Sequence, residues 1–269
     1  MNNDFKYRLI QLATFAAALF LLFPGGALAQ LGEMEIPALH STDTIVRHLG
    51  YTFQYNEKHE QAAWVAYALT QEETKKLFER SDDFIPDPKV HTGSAIQEDY
   101  ARSGYDRGHL APAADMGWSE QSMQESFYFS NMSPQNPSFN RGLWSKLEAQ
   151  VRRWAKEYQV LFVVTGPVLE ENLPTIGPSQ VSVPNLYYKV LLDTAGPSPR
   201  AIGFVMRNEG SKESLQNFAV SIDSVEHLTG IDFYPELPDE KEKQLEHTVC
   251  MECWNWAGRG LRGHEDLRR

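Results

Sequence analysis

The strongest periodic pattern of apolar residues lies between residues 140 and 158. Its apolar members recur every three or four residues, which places them on one face of an amphipathic helix. They are Leu143, Leu147, Val151, Trp154 and Tyr158. The pattern therefore predicts a helix from Asn140 to Tyr158 that buries this stripe. Asparagine favours the N-cap position, and we expect Asn140 to cap this helix.

Shorter apolar segments predict strands on both sides of this helix. They are Tyr51 to Tyr55, Ala63 to Leu69, Phe127 to Phe129, Val160 to Thr165, Tyr187 to Leu192 and Ala201 to Met206. The segment from Asn131 to Pro137 contains two prolines and is predicted to be a turn. Short helices are predicted after Thr70 and Ser119, and from Ser221 to the glycine at 230. The elements do not alternate as in a βαβ protein, so we predict an α+β fold with a mainly antiparallel sheet.

The N-terminus has the pattern of a secretory signal peptide. Basic residues precede an apolar run from Leu9 to Phe23, and Ala27-Leu28-Ala29 matches a small-residue cleavage site. The run is shorter than the roughly 20 apolar residues of a membrane-spanning helix, which favours cleavage over an uncleaved anchor. We therefore predict a signal peptide over residues 1–29 and a mature chain that begins near Gln30. That chain would be periplasmic or secreted and would have no stable membrane anchor.

The end of the chain, residues 239–269, is highly charged and carries both cysteines, Cys250 and Cys253. In an oxidising compartment, a local disulfide is the leading interpretation. Two free thiols are one alternative. A metal site that also uses His247 is another, although structural zinc normally has four ligands.

The net charge of −11 gives the whole chain no general attraction for nucleic acids, because affinity for the phosphate backbone comes mostly from lysine and arginine. The charge is uneven, however. From Arg102 to Lys156 there are seven basic and five acidic residues. A local basic surface can steer a charged substrate even when the whole protein is acidic. Charge therefore does not exclude a nucleic-acid substrate.

The segment Asp106-Arg107-Gly108-His109 combines residue types that suit phosphodiester hydrolysis. Histidine titrates near neutrality, so His109 could take a proton from water. Arg107 lies on the same face of an extended segment, and arginine can bind a phosphate through two parallel hydrogen bonds. Gly108 permits the close approach of another backbone segment. A single histidine is more often structural, so the interpretation depends on the combination.

Two oxygen-bearing side chains further along could hold a divalent cation. Asn140 offers a neutral amide oxygen, and Glu148 follows eight residues later, about two helical turns away. Mg²⁺ prefers hard oxygen ligands and keeps several waters, so few protein ligands are needed. The simpler alternatives are that Asn140 is only a helix cap and that Glu148 is a surface carboxylate.

Three linked motifs extend this combination. They are Asp106-Arg107-Gly108-His109, Asn131-Met132-Ser133-Pro134-Gln135, and Phe139-Asn140-Arg141-Gly142-Leu143-Trp144 with Leu147-Glu148. In this order they resemble the DNA/RNA non-specific endonuclease family, which contains the Serratia-type nuclease and mitochondrial endonuclease G. Ser103-Gly104-Tyr105 and Leu110-Ala111 make the resemblance closer to the endonuclease G branch. It covers about residues 45–238 and implies a ββα-metal nuclease fold, with a mainly antiparallel sheet flanked by helices.

The resemblance also implies a role for each of these residues. His109 would be the general base, and Asn131 would orient the site near it. Arg107 would bind the phosphate, with Arg102 as a second candidate. Asp106 would be mainly structural.

The same resemblance implies a cation site. Asn140 would bind Mg²⁺ directly, and Glu148 would act through a bound water. Mn²⁺ is an alternative cation.

The implied chain has four parts: a signal peptide (1–29), a lead-in (30–44), a nuclease domain (45–238) and a charged extension (239–269). It would be an exported, metal-dependent endonuclease that cleaves DNA and RNA without sequence preference and leaves 5′-phosphate ends. A homodimer and a protein inhibitor are candidate partners. The alternative is a catalytically lapsed member of the family that only binds nucleic acid.

Overall fold

The computed structural model describes residues 33–196 and 198–257. The strands in chain order are β1 (Ile45–Arg47), β2 (Thr52–Asn56), β3 (Gln61–Thr70), β4 (Asp106–His109), β5 (Met132–Gln135), β6 (Val160–Pro167), β7 (Thr175–Ile176), β8 (Val181–Ser182), β9 (Leu186–Asp193), β10 (Arg200–Arg207) and β11 (Ala219–Val220). The α-helices are α1 (Gln97–Tyr100), α2 (Glu120–Glu125), α3 (Ser145–Tyr158), α4 (Ile222–Thr229) and α5 (Asp239–His247). Short 3-10 helices lie at Glu72–Thr74, Ala113–Asp115, Phe129–Asn131, Leu215–Phe218 and Met251–Cys253, and a π-helix spans Phe139–Trp144.

Seven strands form one sheet in the order β1-β2-β3-β6-β9-β10-β11. Every neighbouring pair in it is antiparallel. All residues of the central strand β6 are buried, which requires that both faces of the sheet be covered there. The predicted α+β fold with a mainly antiparallel sheet is confirmed.

Helix α3 covers the central strands with the predicted apolar stripe. Leu147, Val151 and Trp154 are fully buried in one cluster with residues of β3, β6 and β10. Tyr158, at the end of the helix, is only partly buried against the same cluster. The stripe was readable from the sequence because its spacing matches the helical period.

The start of this helix differs from the prediction. The first turns, Phe139–Trp144, form a π-helix, and regular α-helix begins only at Ser145. Asn140 is therefore inside the helical segment, where its backbone N–H donates to the Asn136 carbonyl oxygen at 2.9 Å. The prediction that Asn140 is the N-cap is wrong. Single-turn π segments inside helices are frequent at functional sites.

Two further local predictions are wrong. The aromatic run from Phe127 to Phe129 is not a strand: it follows α2 as a turn and enters a 3-10 helix, although Phe127 and Phe129 are buried. Residues 131–137 are not simply a turn, because β5 pairs with β4 in a two-stranded ribbon. Pro134 lies opposite Arg107 in this ribbon. A ribbon of two strands has outer edges that need no partner, so a proline is tolerated there.

The short predicted helices are present. Ser119 caps α2 by accepting from the Ser122 N–H, and α4 ends at Gly230 in the left-handed conformation, with φ +71°. After Thr70, the Glu73 carboxylate accepts from the Thr70 N–H at 2.9 Å. The Thr70 hydroxyl accepts in return from the Glu73 N–H at 3.2 Å, which is a capping box.

The C-terminal segment packs on this core. Val225 of α4 lies so close to β10 that a Cβ added at Gly203 would be 2.8 Å from its Cγ2. Trp254 is buried, with its ring 4.6 Å from that of Trp154 in α3. The structure joins Cys250 and Cys253 in a disulfide. Neither thiol is therefore available to a metal.

The predicted signal peptide, residues 1–29, lies outside the described residues, as do residues 258–269. Within the part of the chain that the structure describes, no helix is long and apolar enough to cross a membrane.

Candidate active site

The β4–β5 ribbon positions the central histidine. His109 is the last residue of β4 and lies opposite Met132, while Arg107 lies two residues earlier. The Ser133 hydroxyl of β5 donates to Gln61 Oε1 of β3 at 2.6 Å, which fastens the ribbon to the main sheet. A Cβ at Gly108 would lie 2.2 Å from Cδ of Gln135. Only glycine fits between Arg107 and His109 without displacing that buried side chain.

The His109 imidazole lies among aromatic rings. Its ring centroid is 4.9 Å from that of Phe127 and 5.9 Å from that of Phe84. Its Nε2 is buried and has no hydrogen-bond partner among the described residues. Burial, followed by the charges of Arg80 and Arg107, lowers the pKa of His109 to about 3. The imidazole is therefore neutral at pH 7, as a proton acceptor must be.

Two guanidinium groups lie over the rings that surround His109. Arg107 stands over Phe84 at 4.0 Å from the ring centroid, and its Nη1 donates to Gln97 Oε1 at 2.7 Å. Arg80 stands over Phe127 at 4.7 Å. Both side chains line one cleft of about 310 Å³. Arg80 Nε also pairs with the carboxylate of Asp82, which lines the same cleft. The cleft therefore presents the Arg107 guanidinium and the paired Arg80 guanidinium to an anion.

Arg102 is not part of this arrangement. It is exposed, its backbone is in the left-handed region with φ +60°, and it does not line the cleft. Arg80 was not identified from the sequence, because it lies far from the motifs and belongs to no periodic pattern. The structure offers Arg80 as the second phosphate-binding candidate beside Arg107.

A carboxylate holds the asparagine that lines the same cleft. Asn140 Nδ2 donates to Asp106 Oδ2 at 3.0 Å. Arg141 donates to the same carboxylate twice, from Nε to Oδ2 at 2.8 Å and from Nη2 to Oδ1 at 2.6 Å. Burial raises the pKa of Asp106, but the hydrogen bonds from Arg141 and Asn140 outweigh it and lower that pKa below its usual value. An ionised Asp106 thus fixes the amide by its nitrogen and leaves the Asn140 oxygen to face another group.

Glu148 is not a simple surface carboxylate. It is only partly accessible. Burial raises the pKa of Glu148, and the positive charge of Lys189 lowers it by less. Lys189 is fully buried, with its Nζ 4.9 Å from the Trp144 ring, and burial lowers its pKa. Asp115 and Arg152 form an adjacent ion pair at 2.8 Å. Glu148 therefore belongs to a partly buried group of charges with Lys189, Asp115 and Arg152.

Asn131 acts on the chain that follows His109. Its side chain is fully buried, accepts from the Ala111 N–H at 2.9 Å, and donates to the Ala111 and Ser126 carbonyl oxygens at 2.9 and 2.8 Å. Its own carbonyl oxygen accepts from the Leu110 N–H at 3.0 Å. These bonds hold the two residues after His109, and none of them reaches the imidazole.

The donor set suits a hard divalent cation. The free oxygen of Asn140 and the carboxylate of Glu148 are oxygen ligands of the type that Mg²⁺ prefers, and Mg²⁺ needs few protein ligands because it keeps several waters. The hydrogen bond that Asn140 Nδ2 donates to Asp106 is of the kind that orients metal ligands. The Asn140 oxygen, held in place through Asp106, therefore fits such an ion, and Glu148 is the second candidate ligand.

The family model for DNA/RNA non-specific endonucleases matches residues 33–240. The chain belongs to the DNA/RNA non-specific endonuclease family. This family of nuclease enzymes is the one that the three linked motifs resemble, and its match covers most of the described chain. The predicted family and the enzyme class are confirmed.

Individual relatives agree with this assignment. The chain is 35% identical over 217 residues to the mitochondrial nuclease EXOG of Danio rerio, covering 74% of this chain and 63% of that protein. It is 34% identical over 227 residues to the mitochondrial endonuclease G of Homo sapiens, covering 79% of this chain and 74% of that protein. It thus spans less than two thirds of the first relative. Both names support the endonuclease G branch.

A solved structure has the same fold. The crystal structure of the EndoG/EndoGI complex matches with a TM-score of 0.72 and 31% sequence identity, covering 82% of this chain and 95% of that chain. This likeness agrees with the predicted ββα-metal nuclease fold.

The relatives correct one prediction. Those of zebrafish, cow, human, budding yeast and fission yeast are all named as mitochondrial nucleases. The prediction of a periplasmic or secreted protein is contradicted by these relatives and is withdrawn. An apolar stretch with nearby basic residues was weak ground for it, since targeting segments of different compartments share basic and apolar residues.

Proposed function

We propose that the chain is a metal-dependent endonuclease that hydrolyses phosphodiester bonds of DNA and RNA without sequence preference. One observation carries the proposal: the guanidinium groups of Arg80 and Arg107 line the same cleft as the Asp106-held Asn140. Both guanidinium groups stand over the two aromatic rings that contact the buried, neutral imidazole of His109. Base, phosphate clamp and oxygen ligand are the groups that phosphodiester hydrolysis needs.

His109 acts as the general base in this proposal. It takes a proton from the attacking water, and the resulting imidazolium lies near the negative phosphate. In the free protein, burial and then the charges of Arg80 and Arg107 hold the pKa of His109 low. A bound phosphate offsets these two charges, so the imidazole becomes a stronger base when substrate is present. Asn131 is a positioning residue that holds the chain after His109.

Arg107 and Arg80 bind the non-bridging phosphate oxygens. Both guanidinium groups are already placed over aromatic rings, so little side-chain freedom is lost on binding. Contacts to the backbone carry no sequence information. This accounts for cleavage of DNA and RNA alike.

Asn140 would hold Mg²⁺ directly, with Glu148 acting through a water, and Mn²⁺ is the alternative ion. When bound, the ion would neutralise the phosphate and stabilise the leaving 3′ oxygen, so that products carry a 5′-phosphate and a 3′-hydroxyl. Asp106 keeps the Asn140 oxygen directed toward it. Arg141 neutralises Asp106, which keeps that carboxylate from competing for the cation.

Two partners remain proposals. A homodimer is tested by light scattering of the purified chain. A protein inhibitor is supported by the similarity to the EndoG/EndoGI complex, whose description concerns EndoG inhibition. Titration of that inhibitor into the cleavage assay tests it.

The experiment compares wild type, His109→Ala and Asn140→Ala on supercoiled plasmid and on single-stranded RNA, with Mg²⁺, with Mn²⁺ and with EDTA. Wild type should cleave both substrates in either ion and neither in EDTA, and both variants should lose cleavage. His91→Ala is the matched control, because His91 is exposed and distant in sequence from the motifs. Circular dichroism checks that each variant is folded. Retardation of DNA without cleavage by wild type would instead support the catalytically lapsed alternative.

A further inference from the structure

A second cluster of carboxylates lies away from the cleft, between the last two helices. Asp223 and Glu226 are on α4, and Glu246 is on α5. Each offers an oxygen, and these three atoms lie within 4.8 Å of one another. None of the three residues lines the cleft of the candidate active site. The cluster is thus separate from the proposed nuclease chemistry.

The hydrogen bonds at the cluster leave oxygens unused. Glu226 Oε1 accepts from the Phe233 N–H at 2.8 Å, and Asp223 Oδ2 pairs with His247 Nδ1 at 3.0 Å. Glu246 is only 5% exposed, and its Oε1 is buried without a hydrogen-bond partner among the described residues. A buried carboxylate oxygen without a partner is costly. It therefore points to a group that the described residues do not supply.

The surrounding charges are almost all negative. Burial raises the pKa of Glu246 to about 9, and Glu226, Glu242, Asp232 and Asp223 raise it in addition. Burial also raises the pKa of Glu226, with Asp232, Asp223 and Glu242 contributing. The imidazole of His247 is the one basic group bonded to the cluster in the described residues. A cation would relieve this repulsion.

We propose that Asp223, Glu226 and Glu246 bind a Ca²⁺ ion that fastens α5 to α4. Ca²⁺ takes oxygen ligands at about 2.3–2.6 Å, so two ligands on opposite sides are up to about 5 Å apart, whereas Mg²⁺ ligands reach only about 4.2 Å. The three ligand atoms all lie within 4.8 Å of one another, a separation that one Ca²⁺ ion can bridge. The Asp223 side chain is 46% exposed, so water can complete the coordination.

The site would stabilise the C-terminal segment. Helix α4 packs on β10, and α5 leads to the Cys250–Cys253 disulfide and to Trp254, which packs on α3. An ion that bridges α4 and α5 joins this segment to the sheet at a second point. Binding to the folded state alone raises stability by mass action.

The test uses the full chain and CaCl₂ as the probe. Wild type is compared with Glu246→Gln and with Glu240→Gln, a control on the same helix whose side chain is exposed and outside the cluster. At about 100 times its dissociation constant, Ca²⁺ should raise the melting temperature of wild type and control by about 5–10 °C. Glu246→Gln should show no such rise, and calorimetry should show one bound Ca²⁺ fewer than in wild type. Asp223→Asn is a milder second variant, because that residue is partly exposed, and should weaken Ca²⁺ binding.

Two results would overturn the proposal. One is an equal Ca²⁺-dependent rise in wild type and Glu246→Gln. The other is no rise in wild type up to about 10 mM, which exceeds the dissociation constants of weak protein calcium sites. In that case Glu246 is simply a protonated carboxyl group. Plasmid cleavage is measured separately, so failure of this site and failure of the nuclease proposal are distinguishable.

Discussion

Replacement of Asn131 by alanine should cost much of the protein's stability. The side chain is fully buried and makes three hydrogen bonds, to the Ala111 N–H, the Ala111 carbonyl and the Ser126 carbonyl. Its removal leaves three buried backbone groups without partners. Each such group costs about 1–3 kcal/mol. Because the residues around the small cavity can shift and recover part of these penalties, we expect a total loss of free energy of unfolding of about 3–6 kcal/mol.

This loss is large beside the roughly 5–15 kcal/mol of a typical folded protein. Urea unfolding, followed by tryptophan fluorescence, gives the free energies of unfolding of wild type and Asn131→Ala. Asn185→Ala is the matched control, because Asn185 is exposed and its amide makes one hydrogen bond to a side chain, Glu170. The control should change stability by less than about 0.5 kcal/mol.

Cleavage activity gives a second readout of the same variant. Asn131 bonds to Ala111, two residues after His109, so its loss should let the imidazole move. A displacement of about 1 Å can lower a rate about 100-fold. A loss of less than about 1 kcal/mol, with activity unchanged, would refute the view that Asn131 holds the active-site chain.

Three further predictions concern other parts of the molecule. Burial lowers the pKa of His109 from 6.5 to about 3 in the folded protein. Between these two pH values the unfolded chain binds a proton at His109 that the folded chain does not. The neutral His109 therefore contributes its full stabilisation above pH 6.5, and this contribution is lost as the pH falls. Between pH 7 and pH 5, wild type should therefore lose about 2 kcal/mol more than His109→Gln in urea unfolding, and equal losses would contradict the buried, neutral imidazole. Asp106→Ala should raise the half-saturating Mg²⁺ concentration for plasmid cleavage about 10–100-fold, since it frees Asn140, and an unchanged concentration would refute this role. Replacing Cys250 and Cys253 by serine should lower stability by at most about 2 kcal/mol, because the closed loop is short, and cleavage should be unchanged; a loss of cleavage would show that this segment acts on the active site.

The local parts of the fold were predictable because their signals are local. The stripe on α3, the capping serine of α2 and the left-handed glycine after α4 each depend on residues a few positions apart. The three linked motifs also identified the family, since residue types and order carry that resemblance. The wrong predictions concern segments whose conformation depends on pairing with residues far away in the sequence. Pro134 lies in a strand only because β4 supplies a partner on one side.

The sequence by itself determined the fold class and the family, and it predicted most of the candidate site residues, because hydrophobic spacing and the order of the motifs can be read without coordinates. Only the tertiary structure decided which charges meet. It brought Arg80 to the ring of Phe127 and left Arg102 outside the cleft. It turned Asn140 from an expected helix cap into the partner of Asp106, and it placed Glu246 beside two carboxylates of another helix. Electrostatic interactions depend on the distance between charges and on their burial, and neither quantity can be read from the order of residues along a chain.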